Sequence, residues 1–203
     1  MSKLPEAQVM TLFLGLTGGI ATGKSTASKI LQDMGCQIID TDLIAHQQAE
    51  VGQAGWLAIK KEFGDVFFKE DQTLDRKKLG QYVFNNPDAL KRLSTVTQRE
   101  ILKEVKRQMA QSTAKVCVLD VPLLFEAGWD QYCDLTVLID LPEAEELRRL
   151  MARDDLTAAE AEKRIKAQLP LAEKRRRASY IIENTGTIEA LRKKLDQLLA
   201  EIA

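Results

Sequence analysis

An octapeptide near the start of the sequence has the residue types and the spacing of a phosphate-binding loop (P-loop). Residues 18–25 read GGIATGKS and match the pattern G-x-x-x-x-G-K-[ST] at every fixed position. Glycine lets the backbone wrap closely around a phosphate, and the loop N–H groups with the next helix N-terminus attract that anion. Lys24 would then reach the terminal phosphates, and the Ser25 hydroxyl would bind Mg²⁺. The predicted nucleoside triphosphate site comprises Gly18, Gly19, Ile20, Ala21, Thr22, Gly23, Lys24, Ser25 and Thr26.

Two carboxylates follow the second predicted strand, Gln37–Asp40. The triplet Asp40-Thr41-Asp42 lies beyond the carboxyl end of that strand, where open α/β sheets bind ligands. In an extended segment the side chains at i and i+2 share one face, so Asp40 and Asp42 would both face the P-loop. A carboxylate there can orient or deprotonate an acceptor hydroxyl. The other interpretation is that Asp42 caps a helix beginning at Leu43, and the two roles are compatible.

A basic stretch in the second half of the chain is a third candidate for phosphate chemistry. Between Arg148 and Arg177 the sequence has ten basic and five acidic residues. Phosphoryl transfer spreads negative charge over the phosphate oxygens, so arginines that arrive when a lid closes stabilise the transition state. The alternative is a solvated helix face with i,i+4 pairs such as Glu145–Arg149. The candidate lid arginines are Arg148, Arg149, Arg153 and Arg164.

The overall composition is that of a globular protein with almost no net charge. The chain has 203 residues, with 29 Lys and Arg against 30 Asp and Glu, and its formal net charge is -1. This balance argues against a chain-wide binder of polyanions. For the run KRRR at 174–177 we expect a solvated helix or a phosphate-facing edge rather than a nucleic-acid patch. Since no apolar run approaches about 20 residues, we expect no membrane partner either.

The cysteine and histidine content argues against a zinc site. Cys36, Cys117 and Cys133 form no C-x-x-C pair, and His46 is the only histidine. We expect small, reduced, buried side chains at these cysteines, as is usual in a reducing compartment. The sequence therefore indicates a cytoplasmic protein.

Strands and helices alternate along the chain as in βαβ units, which predicts an α/β fold. We expect a three-layer sandwich with a five-stranded parallel sheet covered by helices on both faces. The predicted strands are Thr11–Thr17, Gln37–Asp40, Lys115–Val121, Leu135–Asp140 and Ser179–Glu183. The predicted helices include Lys24–Met34, Trp56–Phe63, Arg76–Phe84, Pro87–Met109 and Thr187–Ile202.

Two helical stretches interrupt this alternation. Residues 48–113 are too long for a loop, and we predict a helical insertion between the second and third strands. Residues 142–178 are helical and highly charged, and we predict a lid. The core would then consist of residues 9–47, 114–141 and 179–203, in a single domain.

Other motifs narrow the class of enzyme. The guanine-binding tetrapeptide N-K-x-D of GTPases is absent from the sequence. Asp120 is followed by Val121 and Pro122 rather than by the glutamate usual in motor-type ATPases. A small-molecule kinase needs an acceptor pocket and a lid that excludes water, and the insertion and the basic stretch fit both requirements. We expect Mg²⁺ as the cofactor, held by Ser25 and, partly through water, by Asp120.

An ordered series of motifs over most of the chain resembles the dephospho-coenzyme A kinase family. The series begins with GLTGGI at 15–20, which leads into the P-loop, and the triplet DTD at 40–42, where the family usually has D-A-D. The run DVPLLFE at 120–126 is far more specific than the P-loop, which many enzymes share. The remaining matches are LDR at 74–76, VF at 83–84, RD at 153–154, RI at 164–165, Gln168 and IENTG at 182–186.

The resemblance implies a P-loop kinase that transfers the ATP γ-phosphoryl group to the ribose 3′-hydroxyl of dephospho-CoA. The products would be CoA and ADP, in the last step of coenzyme A biosynthesis. It further implies a P-loop core, a helical CoA-binding domain and a lid. The partners would be ATP and dephospho-CoA, with the protein a monomer or a weak homo-oligomer.

Matched position by position, the resemblance also assigns residues. Asp42 is similar to the family's catalytic base, and Arg153 to the lid arginine that joins Lys24 at the ATP phosphates. Asn184 is similar to a residue near the adenine. The residues implied on the substrate side are Thr17, Asp40, Asp42, Arg76, Leu123 and Leu124.

One departure from the family pattern concerns the insertion. The family often has a His-Pro pair where this sequence has Thr95 and Val96. Loss of an imidazole removes a group that can carry charge, which concerns substrate contacts more than the reaction itself. Two alternatives stay open: a nucleoside or nucleoside monophosphate kinase, which has the same three parts, and a non-catalytic nucleotide-binding module.

Overall fold

A five-stranded sheet forms the centre of the computed structural model, which describes residues 10–203. Residue 9, with which the predicted core begins, lies outside the described residues. The strands follow the order β2-β3-β1-β4-β5, and the predicted α/β fold with a parallel sheet is confirmed. Predicted and observed strand ends differ by at most one residue. The strands are β1 Leu12–Gly18, β2 Gln37–Asp40, β3 Val116–Asp120, β4 Leu135–Asp140 and β5 Tyr180–Glu183.

Helices connect the strands and make up the rest of the regular structure. They are α1 Lys24–Asp33, α2 Thr41–Gln48, α3 Ala54–Phe63, α4 Arg76–Phe84, α5 Pro87–Gln111, α6 Glu143–Asp154, α7 Ala158–Lys166, α8 Leu171–Arg177 and α9 Ile188–Ile202. Short 3-10 turns occur at Asp65–Phe67 and Trp129–Tyr132. Within residues 10–203, no helix combines the length and the apolar character needed to cross a membrane.

The described chain divides into two compact units. The core unit contains the residues up to Ile39 together with Ser112–Ala203, and the helical unit is Asp40–Gln111. The helical unit begins at Asp40 rather than at residue 48, because α2 packs against α3 and α5. The segment predicted as a lid belongs to the core unit.

The core unit is built on buried apolar strands. Every residue of β3 is buried, and β1 is buried from Leu14 onwards, as expected for strands covered on both faces. On one face α1 and α9 pack together, and their leucines and isoleucines meet the strands. Thr187 caps α9 by accepting a hydrogen bond from the Ala190 N–H at 3.2 Å.

The helical unit has a hydrophobic core of its own. The long helix α5 contacts α2, α3 and α4, and begins with a proline, which suits the first turn of a helix. The buried side chains of this second core are Ile59, Phe67, Leu79, Val83 and Ala89.

The sheet register determines what the P-loop can meet. In the parallel pair of β1 and β3, Leu16 lies opposite Asp120. The P-loop leaves the carboxyl end of β1 at Gly18 and enters α1 at Lys24. Because parallel strands end at the same edge of the sheet, the carboxylate that closes β3 lies next to the start of the P-loop.

Candidate functional site

The P-loop has a backbone that side chains would obstruct. Gly23 has φ 95°, in the left-handed region that favours glycine, and a Cβ there would overlap the side-chain amide of Asn184. A Cβ on Gly19 would overlap the carboxylate of Glu146. Ala21 also has a positive φ, of 60°. The predicted loop between a strand and a helix is confirmed, and the lack of a Cβ at Gly19 and Gly23 makes room for the side chains of Glu146 and Asn184.

Thr22 holds the loop in this shape from inside. Its side chain is fully buried, and its hydroxyl donates to the Gly19 carbonyl at 2.9 Å. Its own carbonyl accepts from the Asn184 Nδ2 at 2.8 Å. These bonds fix the loop before any ligand arrives, so its N–H groups require little rearrangement to bind an anion.

Lys24 and Asp120 form the charged centre of the site. The Lys24 ammonium makes an ion pair with the Asp120 carboxylate, which is 4% exposed at the end of β3. Ser25 and Thr26 lie exposed in the first turn of α1. The Ser25 hydroxyl and the Asp120 carboxylate are hard oxygen donors, which Mg²⁺ prefers, so these residues fit the predicted metal.

Asn184 ties the loop before α9 to the P-loop. Besides its bond to Thr22, its N–H donates to the Asp140 carbonyl at 2.9 Å. Its own carbonyl accepts from the Arg149 guanidinium at 3.1 Å. The structure therefore brings Asn184 to the P-loop, while its role at the adenine stays a prediction.

The residues predicted on the substrate side of the core unit differ in exposure. Thr17 is fully buried and donates to the Pro122 carbonyl at 3.2 Å. Leu124 is fully buried, whereas Leu123 is 44% exposed. Thr17 and Leu124 thus hold the segment that follows β3, and of the three only Leu123 has substantial surface for a substrate.

The predicted carboxylate pair lies at the start of the helical unit. Asp40 caps α2, because its Oδ1 accepts from the N–H groups of Asp42 at 2.9 Å and Leu43 at 3.0 Å. The interpretation that Asp42 is the capping residue is therefore wrong, since the helix begins at Thr41. Asp42 is exposed in the first turn of α2. Asp40 therefore caps α2, and the predicted role of Asp42 as a base does not compete with a capping role.

The helical unit contains a cavity of about 380 Å³. Its wall is mostly apolar, from Ile59, Leu79 and residues of α5, and includes Arg76. The Arg76 guanidinium lies 3.3 Å from the His46 Nδ1. Thr95, at the position of the family's histidine, is exposed and bonds the Lys91 carbonyl within α5. The cavity combines an apolar surface with one cationic group, as small-molecule sites often do.

Two acidic side chains of α6, Glu145 and Asp154, hold the candidate lid arginines. Arg153 and Arg164 both bind Asp154, at 2.7 Å each, and the Arg153 hydrogen bond lowers the pKa of that carboxyl. Arg149 binds Glu145 at 2.9 Å, which confirms the predicted i,i+4 pair, and Arg148 binds the same carboxylate. Hydrogen bonds from Arg148 and then Arg149 lower the pKa of Glu145 to about 2.

Sequence reasoning missed the contacts that the charged residues of α8 make with the rest of the core unit. Lys174 is fully buried, so the expectation of a solvated helix is wrong for that residue. Arg175 makes a bidentate pair with Asp140 at 2.7 and 3.0 Å, and Arg177 lies over the Phe125 ring. Lys174 follows Leu171 by three residues, on the buried face of α8, and that spacing could have indicated its position.

Glu146 in α6 is a second buried charge that the sequence did not reveal. It is 2% exposed, its Oε2 has no hydrogen-bond partner, and it lines a cavity of about 470 Å³ with Gly19 and residues of α7. Burial raises the pKa of Glu146 to about 7, although the nearby Lys174 charge acts in the opposite direction. Its carboxyl is therefore largely protonated in the folded protein below neutral pH.

We predict that Glu146→Gln changes the pH dependence of stability. The pKa of Glu146 is higher in the folded protein than its ordinary value of 4.5, so its stabilising effect is complete below pH 4.5 and disappears as pH rises through 7. The variant cannot ionise, so its free energy of unfolding relative to wild type should increase from pH 5 to pH 8 in urea denaturation. Glu143→Gln, at an exposed position of the same helix, should show little of this trend. Equal differences at both pH values for Glu146→Gln would contradict the prediction.

Comparison with known proteins places the chain in one family. The family model described as dephospho-CoA kinase matches residues 12–190. A dephospho-CoA kinase of Lactobacillus johnsonii is 48% identical over 196 residues, which cover 95% of this chain and 99% of that protein. The structure of dephospho-CoA kinase from Campylobacter jejuni is similar with a TM-score of 0.72 and 31% identity, covering 95% and 98% of the two chains.

A more distant structure shares the fold alone. Shikimate kinase from Acinetobacter baumannii has a TM-score of 0.54 and 19% identity, covering 96% of this chain and 94% of its own. The resemblance that the sequence motifs predict is confirmed over most of the chain. Since a family model spans the P-loop, the helical unit and β5, and a relative is nearly half identical over almost its full length, the chain belongs to the dephospho-CoA kinase family.

Proposed function

We propose that this protein transfers the γ-phosphoryl group of ATP to the ribose 3′-hydroxyl of dephospho-CoA, giving CoA and ADP. The observation that carries the proposal is the P-loop with Lys24 on the buried Asp120, in a chain of this family. The P-loop supports ATP as the phosphoryl donor, and membership of the family supports dephospho-CoA as the acceptor.

The core unit supplies the donor half of the site. The N–H groups of the P-loop and the start of α1 bind the phosphates, and Lys24 leaves Asp120 to neutralise charge at the β- and γ-phosphates. Ser25 and Asp120 would hold Mg²⁺, which supplies further positive charge at those phosphates when bound. Asp120 would then have the metal ion as its neighbouring cation in place of Lys24.

The helical unit supplies the acceptor half. Its cavity offers apolar surface for remote parts of dephospho-CoA, and Arg76 at the cavity wall can pair with the acceptor's own phosphates. Asp42 accepts the proton of the 3′-hydroxyl as the ribose oxygen forms its bond to the γ-phosphorus. The bond from that phosphorus to the bridging oxygen breaks, and ADP leaves with the electron pair.

The arginines of α6 and α7 are the mobile cations of this proposal. Arg153 and Arg164 are exposed and both pair with Asp154. Each guanidinium can exchange that carboxylate for phosphate oxygens. Side chains of α8 bind the core through Asp140 and Asp130, so closure would involve α7 rather than α8. The cavity between α6, α7 and Gly19 leaves α7 room to approach the P-loop and exclude water.

The proposal includes the cellular compartment and the oligomeric state of the protein. Cys36, Cys117 and Cys133 are unpaired thiols in the structure, as is usual in a reducing compartment such as the cytoplasm. We propose a monomer or a weak homo-oligomer whose partners are its two substrates, with no nucleic acid or membrane involved.

We predict a strong preference for dephospho-CoA over smaller acceptors with the same ribose. Adenosine and AMP lack the pantetheine arm and cannot use the binding energy of the cavity, so kcat/KM should be lower by about 100-fold or more. The measurement is coupled ADP release with each acceptor at saturating ATP. Equal or better use of AMP or adenosine would favour a nucleoside or nucleoside monophosphate kinase. Transfer to no acceptor would favour a non-catalytic nucleotide-binding module.

We also predict that Asp42→Asn lowers kcat by about 100-fold to 10,000-fold, because the amide cannot accept the hydroxyl proton. Binding of ATP, measured by calorimetry, should stay at its wild-type strength because the P-loop is unchanged. Asp88→Asn is a matched control, since it neutralises another exposed carboxylate in the first turn of a helix of the same unit. A wild-type kcat in Asp42→Asn would exclude Asp42 as the base.

A further inference from the structure

Lys174 is the most deeply buried charged side chain in the described part of the core unit. Its side chain has no exposed surface, yet its ammonium lies at the very beginning of the P-loop. The Nζ donates to the Gly18 carbonyl at 3.4 Å and pairs with the Glu126 carboxylate at 2.9 Å. A buried ammonium is expensive unless it is paired, so this arrangement needs both partners.

The two partners of Lys174 belong to different segments of the site. Gly18 is the last residue of β1 and the first of the P-loop. Glu126 ends the DVPLLFE run after β3, and the same Oε1 accepts from the Leu169 N–H at 2.9 Å, just before α8. One ammonium and one carboxylate thus join the P-loop, the segment after Asp120 and the segment that leads into α8.

We propose that Lys174 is a positioning residue for the nucleotide: it fixes the first residue of the P-loop against the segment after β3 and against α8. Lys174 is not placed to touch the phosphates, because its ammonium lies on the carbonyl side of Gly18. It acts through the backbone that carries the phosphate-binding N–H groups. The inference rests on the proposed binding of ATP at the P-loop.

The electrostatic surroundings give Lys174 a second effect on the same loop. Glu126 lies near the start of the P-loop through Lys174, because the ammonium that pairs with its carboxylate also donates to the Gly18 carbonyl. Without the Lys174 charge, the Glu126 carboxylate would lack its cation and would repel an incoming triphosphate. A loss of Lys174 therefore weakens nucleotide binding through loop geometry and through repulsion.

The test is Lys174→Met, which keeps most of the volume and removes the charge. We expect the Kd for ATP, measured by calorimetry with Mg²⁺, to rise by about tenfold to a hundredfold, since small misplacements near a reacting centre have effects of that size. The KM for dephospho-CoA should change much less than the Kd for ATP, because the acceptor cavity with Arg76 lies in the helical unit, whereas Lys174 belongs to the core unit. The matched control is Arg176→Met on the exposed side of α8, where the arginine pairs only with its neighbour Glu173 among its described partners. Its Kd for ATP should match the wild type.

A residue with a merely structural role would lower stability and leave the ATP affinity of the folded protein unchanged. That result in a folded Lys174→Met protein would overturn the inference. If this variant does not fold, Glu126→Gln decides, because Glu126 is exposed and the amide still accepts from the Leu169 N–H. A raised Kd for ATP supports the inference, and a wild-type Kd overturns it.

A double variant separates a shared mechanism from two independent ones. If Glu126 acts through Lys174, then Lys174→Met with Glu126→Gln should bind ATP no more weakly than Lys174→Met alone. Fully additive losses would overturn the proposed link. Failure of wild-type protein to phosphorylate dephospho-CoA while still binding ATP would refute the proposed function and leave this inference standing. Wild-type ATP binding in both single variants would refute this inference and leave the proposed function standing.

Discussion

The ion pair between Lys24 and Asp120 is the interaction around which the rest of the core unit is arranged. A carboxylate that is 4% exposed needs a cation nearby, and the Lys24 ammonium at the start of α1 provides one. This contact needs β1 next to β3, with Leu16 opposite Asp120, so that both strands end at one edge. The pairing of β1 with β3 and the position of the P-loop are therefore both needed for this contact.

A second set of charged side chains supports the P-loop, with Lys174 and Glu146 buried and Glu126 exposed. Lys174 pairs with Glu126 and donates to the Gly18 carbonyl. Glu146 lies against Gly19, and Asn184 donates to the Thr22 carbonyl. These contacts come from the segment after β3, from α6, from α8 and from the loop before α9. The P-loop is thus supported on several sides, which lets its N–H groups keep one arrangement for a triphosphate. The contacts of Lys174 and Arg175 also fix α8 to the core unit, although α8 lies in the segment that the sequence predicts as a lid.

Much of the fold and part of the site could be predicted from the sequence, for identifiable physical reasons. Buried parallel strands have short apolar runs, and the P-loop pattern is local, so β1 and the loop to Lys24 were within reach of sequence reasoning. The capping role of Asp40 was not, because Asp40 and Asp42 suit a helix start equally well and only backbone geometry decides. Lys174 and Glu146 look like surface residues in a basic, charged stretch. Their burial depends on packing between segments more than 100 residues apart in the chain, such as Gly18 and Lys174, which no local pattern records.

The most direct test of the central claim is to identify where the phosphoryl group goes. Wild-type protein, ATP, Mg²⁺ and dephospho-CoA would be incubated, and the product examined by mass spectrometry and ³¹P NMR. We predict one added phosphoryl group per dephospho-CoA, present as a monoester on the ribose 3′-oxygen, with one ADP formed for each. ADP with inorganic phosphate and unchanged dephospho-CoA, or a phosphoryl group at any other position, would contradict the proposed reaction.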